Sequence, residues 1–339
     1  MNKKSVINNR KVEHIKIVLE KETEPNQSPF AKYSLNYKAL PEISLSEVDT
    51  STRFLGFNLA FPFLLSSMTG GPSEGETINI NLAKACEKAG CALALGSMRL
   101  VLKDKSAIST FDVKKYCPSI PLFANLGLVQ LNYGCGADEI NFLLDTINAD
   151  GIFLHVNPIQ EAIQPEGDTN FNGLITKLSN LLRKVNKPVL IKEVGTGIDH
   201  TTASALKEIG IKWIDVSGLG GTSWSRIEAY RRQDDLGYAF DDVGVPTDIA
   251  LKQAAKIKGL NLIAGGGIRN GLDIAKSLVM GAKLSTSATP FLRPAMIDSK
   301  SCYEKLSLWK RQLQIAMFST GSKNIKELKR TKLSITAQS

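Results

Sequence analysis

Four polar residues within one short segment form the strongest candidate for a catalytic cluster. His155, Asn157, Gln160 and Glu161 lie in HVNPIQE, directly after the apolar run GIFL. Glu161 is the only carboxylate among them, and Mg²⁺ is usually held by one or two carboxylates together with substrate phosphate oxygens. Gln160 is neutral and can orient a substrate or relay a proton weakly. A lone histidine is more often structural, but these polar neighbours favour a role for His155 in the chemistry.

Lys192 is a second candidate, because it ends the otherwise apolar stretch PVLIK. A lysine at this position either faces the mouth of the fold or forms a structural salt bridge. In the mouth it would hold negative charge on a cofactor or form a Schiff base. Thr69, Gly70 and Asn125 also follow apolar segments, and they offer hydrogen bonds to a flat ring that carries many heteroatoms.

Three cationic side chains lie close together near the N-terminus. On a helix, Arg10 and His14 share a face at positions i and i+4, and Lys11 and His14 share one at i and i+3. The three residues therefore form either a solvated charged face or a basic arm that closes over an anionic substrate.

Three segments rich in small residues are candidates for a phosphate site. They are SGLGGT (217–222), GGGIR (265–269) and SATP (287–290). Glycine lets the backbone N–H approach an anion, and the N-terminus of a following helix adds a favourable dipole. The alternative is that the glycines only form tight turns. Phosphate binding is favoured because the three segments follow consecutive predicted strands.

The elements that must position these residues follow a repeat of short apolar segments and helix-like stretches, such as INLAKACEKAG (80–90). Strands that are apolar on both faces and alternate with helices indicate a parallel sheet. Eight such units predict an α/β fold, a closed (β/α)₈ TIM barrel, rather than an open doubly wound sheet. The eight segments are 59–68, 91–98, 121–127, 151–157, 188–195, 213–218, 261–268 and 283–289.

Three regions lie outside that repeat. Residues 1–58 form an N-terminal extension, and residues 59–320 contain the barrel. The tail, residues 321–339, carries five Lys or Arg residues and one Glu, and we expect it to be frayed or weakly docked. After the sixth strand, the polar segment 222–247 is too long for a plain crossover, so we expect a lid over the active site.

The composition excludes several classes of protein. The chain has 339 residues, 43% hydrophobic and 22% charged, so it can bury a large core. Its apolar runs reach about ten residues, short of the ~18–20 that cross a bilayer. The five cysteines contain no CxxC pair, which favours reduced thiols in a cytoplasm over disulfides or a zinc site. The N-terminal MNKKSVINNRKVEH lacks the apolar stretch of a secretory signal.

The net charge of +9 does not predict a nucleic-acid partner. Most of the excess charge lies at the two ends, and only 7% of the residues are aromatic, so the basic and aromatic patch of single-strand binders is missing. A phosphorylated small molecule accounts for the cationic arm equally well.

The ordered motifs identify a family. The sequence resembles the type 2 isopentenyl-diphosphate isomerases, which are FMN-dependent (β/α)₈ barrels, over about residues 8–320. GGGIR alone recurs in many flavin barrels, but the ordered set is specific. The set is RKxxH, SMTGG, GSMR, ANLG, HVNPIQE, KEVG, DVSGLGGTSW with RIE, and GGGIR.

The resemblance implies which residues bind FMN and which take part in the chemistry. Gln160, His155 and Lys192 would be catalytic, with Lys192 near N1 of the flavin, where it would favour the anionic reduced form. FMN would contact Met68, Thr69, Gly70, Ser97, Asn125, Lys192, Ser217, Thr222, Gly267, Ile268, Arg269, Ala288 and Thr289.

The resemblance also implies a substrate and a metal site. Glu161 would bind Mg²⁺. One departure from the family is Val243, which stands where a Trp often precedes the PT motif and which would loosen the lid beside the flavin. The substrate diphosphate would contact Arg10, Lys11, His14, Ser97, Arg99, His155, Asn157 and Gln160.

The implied reaction interconverts isopentenyl diphosphate and dimethylallyl diphosphate by a 1,3-allylic proton shift in isoprenoid biosynthesis. With Glu161 committed to Mg²⁺, the resemblance implies that reduced FMN exchanges the proton through N5. NAD(P)H would reduce the FMN, though not in each turnover. We also expect a homo-oligomer, a tetramer or octamer, in the cytoplasm, with neither a nucleic acid nor a membrane as partner.

The nearest alternative is an FMN-dependent oxidoreductase on the same barrel that acts on a small anionic substrate. Such enzymes often use a histidine on a late strand as the base beside the flavin. His14, His155 and His200 all precede the sixth strand, which argues against this alternative.

Overall fold

The computed structural model describes residues 3–68 and 73–335. Its strands are short, as expected for a sheet whose strands alternate with helices. The strands in these ranges are β1 (Tyr33–Leu35), β2 (Thr52–Phe54), β3 (Phe57–Leu59), β4 (Phe63–Leu65), β5 (Ala92–Ala94), β6 (Leu122–Gly127), β7 (Gly151–Val156), β8 (Val189–Glu193), β9 (Trp213–Asp215), β10 (Asn261–Ala264), β11 (Leu284–Ser287) and β12 (Leu333–Ile335).

Helices follow or flank these strands. No helix within the described ranges combines the length and the apolar character needed to cross a membrane. The α-helices there are α1 (Lys3–Glu20), α2 (Ser73–Ala89), α3 (Arg99–Lys103), α4 (Ala137–Thr146), α5 (Pro158–Ile163), α6 (Leu174–Leu182), α7 (His200–Glu208), α8 (Trp224–Arg232), α9 (Thr247–Ala254), α10 (Gly271–Val279), α11 (Thr289–Ile297), α12 (Ser299–Ser319) and α13 (Ile325–Leu328).

Eight strands form a closed parallel barrel in the order β4, β5, β6, β7, β8, β9, β10, β11 and back to β4. Each lies within one of the eight predicted segments, so the predicted barrel is confirmed. The register of the barrel strands brings three polar residues together. It places His155 of β7 opposite Lys192 of β8, and Lys192 opposite Asp215 of β9. All three residues therefore lie near the carboxyl ends of adjacent strands.

The β2–β3 hairpin closes the other end of the barrel. Phe54 is buried against residues of the barrel interior, and its ring centroid lies 5.4 Å from that of Phe123 and 4.8 Å from that of Trp213. Leu59 belongs to the same interior cluster. Because aromatic and aliphatic side chains fill this end, the barrel leaves its open space at the carboxyl ends of the strands.

The C-terminal tail is docked on the N-terminal extension. Strand β12 pairs antiparallel with β1, with Tyr33 opposite Ile335, and Leu328 of α13 is fully buried. The prediction of a frayed or weakly docked end is therefore wrong for residues 321–335; residues 336–339 lie outside the described range. The prediction rested on the basic composition of the tail, but a few of its side chains are apolar and pack into the core, such as Ile325 and Leu328.

The long segment after β9 contains a helix. Helix α8 begins after Ser223, whose hydroxyl accepts a hydrogen bond from the N–H of Arg226, and ends at Gln233 in a left-handed conformation. Arg226 also forms an ion pair with Asp241 further along the segment. Helix α9 then returns the chain to β10, and Val243 between the two helices is 46% exposed.

Candidate active site

The carboxyl ends of the barrel strands surround a cavity of about 240 Å³. Ile268 does not line it, because its side chain is buried in the core, and Thr69 and Gly70 lie outside the described residues. The predicted site residues that line the cavity are Arg10, Lys11, His14, Met68, Ser97, Arg99, Asn125, His155, Asn157, Gln160, Glu161, Lys192, Ser217, Thr222, Gly267, Arg269, Ala288 and Thr289.

Helix α1 places the basic arm, Arg10, Lys11 and His14, beside this cavity. His14 Nε2 donates to Glu228 Oε1 at 2.9 Å, and Lys11 Nζ donates to the carbonyl oxygen of Ser97 at 3.0 Å. Burial and the neighbouring Arg10 guanidinium lower the pKa of Lys11 to about 7. The arm is thus docked at the cavity and is not a solvated charged face; its contact with substrate stays a prediction.

An ion-pair network lies behind the arm. Arg231 pairs with Glu13 of α1 at 2.9 Å, with Glu228 of its own helix at 2.8 Å, and with Glu166 in the loop after α5. This network ties α1, α8 and that loop together. Sequence reasoning gave no role to Glu228 or Arg231, although their spacing of i and i+3 inside the long polar segment is compatible with one helix face.

His155 is a neutral imidazole with a defined tautomer. Its Nδ1 donates to Asn125 Oδ1 at 2.8 Å, and Asn125 Nδ2 in turn donates to Ser67 Oγ at 3.0 Å. Burial lowers the pKa of His155 to about 3, assisted by the positive charges of Lys192 and two arginines. Since Nδ1 carries the proton, Nε2 is left as an acceptor.

Glu161 is fixed by two donors. Its Oε2 accepts from the Asp168 N–H at 2.6 Å, and its Oε1 accepts from Asn157 Nδ2 at 3.0 Å. Asp168 also forms an ion pair with Arg99 at 2.5 Å. The loop that carries Asp168 passes close to the backbone of Glu161. This close contact requires Gly167, because a Cβ there would lie 1.8 Å from the Glu161 carbonyl oxygen.

The carboxylate of Glu161 retains lone pairs for a cation. A carboxylate has about four acceptor sites, and only two are used here. Among the described residues, no group of three or more His, Cys, Asp or Glu side chains could hold a metal on its own. The site therefore fits Mg²⁺ that takes further oxygens from a bound phosphate and from water.

Lys192 faces the cavity and also forms an ion pair, so both alternatives drawn from the sequence apply. Its Nζ lies 3.8 Å from Asp215 Oδ2 and donates to the carbonyl oxygen of Glu193 at 2.5 Å. The Glu193 side chain is engaged elsewhere, because its Oε2 accepts four backbone N–H groups from residues 194–197. Glu193 thus fixes the turn that follows β8.

The predicted phosphate segments lie together at one side of the cavity. A Cβ on Gly221 would lie 2.9 Å from the Gly267 nitrogen, so the glycine permits close packing of these two loops. The Thr222 and Thr289 hydroxyls are 2.6 Å apart. Helix α11 begins at Thr289 with no side-chain cap. Pro290 has no N–H, and the Phe291 N–H donates to the Ala288 carbonyl oxygen at 2.9 Å, so among the first three residues of the helix only Thr289 can offer its N–H to an anion.

Arg269 adds a cation to this side of the cavity. Its guanidinium pairs with Glu24 of the N-terminal extension, at 2.6 Å from Nη2. Sequence reasoning gave no role to Glu24, which lies far from Arg269 in the chain. The Thr289 N–H at the start of α11, two threonine hydroxyls and the Arg269 guanidinium form a donor set that fits a phosphate group.

Comparison with known proteins supports the family predicted from the sequence motifs. A family model described as FMN-dependent dehydrogenase matches residues 9–107 and 156–335. Three curated relatives are each named isopentenyl-diphosphate delta-isomerase. They come from Hydrogenovibrio crunogenus (42% identical over 331 residues, 96% of each chain), Rickettsia bellii (43% over 330 residues, 96% of each) and Synechocystis sp. (41% over 326 residues, 94% of this chain and 93% of the relative).

Solved structures share the fold at low sequence identity. Mandelate oxidase with (S)-2-phenylpropionate superposes with a TM-score of 0.70 at 16% identity, over 98% of both chains. A mutant flavocytochrome b2 with benzoylformate gives a TM-score of 0.69 at 19% identity, over 96% of this chain and 79% of that one. The family match and the relatives together show that the chain belongs to the FMN-dependent dehydrogenase family and, within it, to the isopentenyl-diphosphate delta-isomerases.

Proposed function

We propose that the protein interconverts isopentenyl diphosphate and dimethylallyl diphosphate with reduced FMN and Mg²⁺, and that NAD(P)H supplies the reducing electrons. The observation that carries this proposal is that the basic arm and the HVNPIQE residues line the same cavity as Lys192. Cations for a diphosphate, a carboxylate for Mg²⁺ and a lysine for a flavin are thereby present in one site.

FMN fits the two sides of the cavity. Its phosphate would be held by the start of α11, the Thr222 and Thr289 hydroxyls, and Arg269. Its ring would be held near Asn125, Lys192 and the other strand ends. When bound, reduced FMN would supply the proton exchange at the double bond, for which a neutral alkene needs a well-placed acid.

The residues of this chain would bind and orient the substrate. Arg10, Lys11 and Arg99 carry the positive charge that a diphosphate requires. Glu161 would hold Mg²⁺ against the phosphate oxygens, and Asn157 keeps its carboxylate in place. Gln160 accepts from Asn157 Nδ2 at 3.0 Å through its Oε1, which orients its amide at the cavity wall. Helices α1 and α8 would restrict the access of water.

A second candidate, an FMN-dependent oxidoreductase, is less well supported by the site. Among the described residues, the histidines that line the cavity are His14 and His155, from α1 and β7. The strands β9, β10 and β11 contribute no histidine as a base beside a flavin. We further propose a cytoplasmic homo-oligomer, a tetramer or octamer; the five free cysteines are compatible with that location.

The proposal is tested on the purified protein by its absorbance spectrum and by an anaerobic assay. We expect a yellow protein that releases FMN on denaturation. It should convert isopentenyl diphosphate with Mg²⁺ after reduction by dithionite or NADPH, and stay inactive while the flavin is oxidised. A colourless protein that also fails to bind added FMN would contradict the proposal.

A further inference from the structure

We propose that Asp215 is a positioning residue for Lys192, and that its negative charge limits the positive potential that Lys192 presents to the flavin. This inference rests on the proposed function, because it requires FMN beside Lys192. It concerns a carboxylate outside the set of residues assigned above to substrate, cofactor or metal.

The barrel register brings the two residues together. Lys192 on β8 lies opposite Asp215 on β9, and Nζ is 3.8 Å from Oδ2. Asp215 has no exposed surface, whereas Lys192 lines the cavity. The carboxylate therefore lies behind the ammonium group, on the side away from the space that a ligand would occupy.

The two oxygens of Asp215 have different surroundings. Oδ1 accepts from the backbone N–H of Ser217 at 3.1 Å and from its hydroxyl at 2.8 Å. Oδ2 is buried with no hydrogen-bond partner in the described part of the chain. Its ion pair is with the Lys192 ammonium group. Burial raises the pKa of this carboxyl, and the Lys192 charge and the Ser217 donors oppose that rise.

Close packing holds the pair in place. A Cβ on Gly265 would lie 2.5 Å from Asp215 Oδ1 and 2.2 Å from Ser217 Oγ, so the backbone that follows β10 lies directly against this cluster. The Asp215 carboxylate and the Ser217 hydroxyl are thus confined by that backbone. A buried charge without its partner is costly, so the ion pair offsets the cost of burying the two side chains in the barrel wall.

Two other buried carboxylates, Glu193 and Asp248, form no ion pair with Lys192. Glu193 Oε2 is saturated by the N–H groups of the turn after β8. Asp248 pairs with Lys32 at 3.0 Å and with the Tyr33 hydroxyl at 2.6 Å, and it does not line the cavity. Asp248 therefore provides a matched control, because it is a fully buried aspartate with a lysine partner that does not line the cavity proposed for the flavin.

The experiment measures the midpoint potential of bound FMN in Asp215→Asn, with wild type, Lys192→Gln and Asp248→Asn alongside. Loss of the negative charge should raise the potential. We expect reduced FMN to be bound at least tenfold more tightly relative to oxidised FMN than in wild type, about 30 mV for a two-electron couple. Lys192→Gln should lower the potential, and Asp248→Asn should leave it unchanged.

The outcomes separate this inference from the proposed function. Wild type that cannot bind FMN contradicts the proposed function itself. If Lys192→Gln lowers the potential while Asp215→Asn leaves it unchanged or lowers it, the role of Asp215 is overturned and the function stands. If Asp215→Asn does not fold, the double variant Asp215→Asn/Lys192→Gln removes both buried charges. Its potential should then lie above that of Lys192→Gln, because it lacks the negative charge of Asp215, and a potential equal to or below that of Lys192→Gln overturns the inference.

Discussion

The Lys11 ammonium donates a hydrogen bond to the carbonyl oxygen of Ser97 at 3.0 Å. Lys11 belongs to α1 in the N-terminal extension, and Ser97 follows strand β5 of the barrel. This bond fastens the basic arm to the rim of the cavity. The arm therefore holds Arg10, Lys11 and His14 beside the residues that follow the barrel strands.

The lowered pKa of Lys11 predicts a pH dependence of diphosphate binding. With its pKa at about 7, Lys11 loses its proton as the pH rises above 7, whereas an ordinary lysine stays charged to about 10.4. Bound diphosphate favours the ammonium, so binding takes up a proton and affinity should fall by up to about tenfold per pH unit between 7 and 9. Calorimetric titration with isopentenyl diphosphate at several pH values measures this. Lys11→Arg keeps its charge and should flatten the profile; an equal slope in both proteins would rule out Lys11 as its source.

Removal of the first 14 residues should leave a folded protein that still binds FMN and has lost most of its affinity for substrate. The deletion removes Arg10, Lys11 and His14 but none of the barrel strands. Charge-assisted hydrogen bonds contribute roughly 1.5–3 kcal/mol each, so losing two would raise the Michaelis constant about a hundredfold or more. Lys16→Ala, which removes an exposed cation from the same helix, is the control. A Michaelis constant and turnover equal to wild type would show that the arm does not bind substrate.

Glu161→Gln should retain FMN, require more Mg²⁺ and turn over more slowly. The amide is a weaker Mg²⁺ ligand, and its NH₂ cannot accept the hydrogen bond that Asp168 N–H or Asn157 now donates. Activity measured against Mg²⁺ concentration tests this. Glu166→Gln is the matched control, since Glu166 lies in the adjacent loop and does not line the cavity. Identical Mg²⁺ curves for Glu161→Gln and wild type would mean that substrate phosphates alone hold the ion.

Neutral His155 predicts a loss of stability in mild acid. Its folded pKa is about 3, against about 6.5 for an unfolded chain, so between these values the unfolded chain binds one more proton. The free energy of unfolding should therefore fall with decreasing pH, by up to about 1.4 kcal/mol per unit from this group. Denaturant titrations between pH 4 and 6.5 should give a shallower slope for His155→Gln than for wild type. The exposed His200 provides the control substitution; equal effects of both variants on the slope would contradict the assignment.

The barrel could be predicted from the sequence because its pattern is local. Eight apolar segments separated by helix-like stretches specify both the strands and the side chains at their ends, such as His155 and Lys192. Those ends must converge on one face of a parallel barrel, so the chemistry of the cavity follows from residue order.

The remaining features depend on contacts between distant parts of the chain. In the sequence, Arg231 is one of several charges in a polar segment, and its ion pair with Glu13 forms only because α1 packs beside it. In the sequence, Asp215 is a polar residue within an apolar strand, and only the register of the sheet shows that it lies opposite Lys192. The tail is basic in composition, and its docking could not be predicted because the pairing of β12 with β1 joins Ile335 to the distant Tyr33. None of these partners has a local signal.

A proton shift without net redox change is the centre of the proposed function, and deuterium incorporation tests it most directly. Isopentenyl diphosphate is incubated anaerobically in D₂O with Mg²⁺, the FMN-loaded protein and a single equivalent of reductant per flavin, and the products are followed by proton NMR. We expect many turnovers to dimethylallyl diphosphate for each equivalent of reductant, with deuterium in the new methyl group. Product formed only in proportion to the reductant, or no conversion by the fully reduced protein, would contradict the proposed reaction.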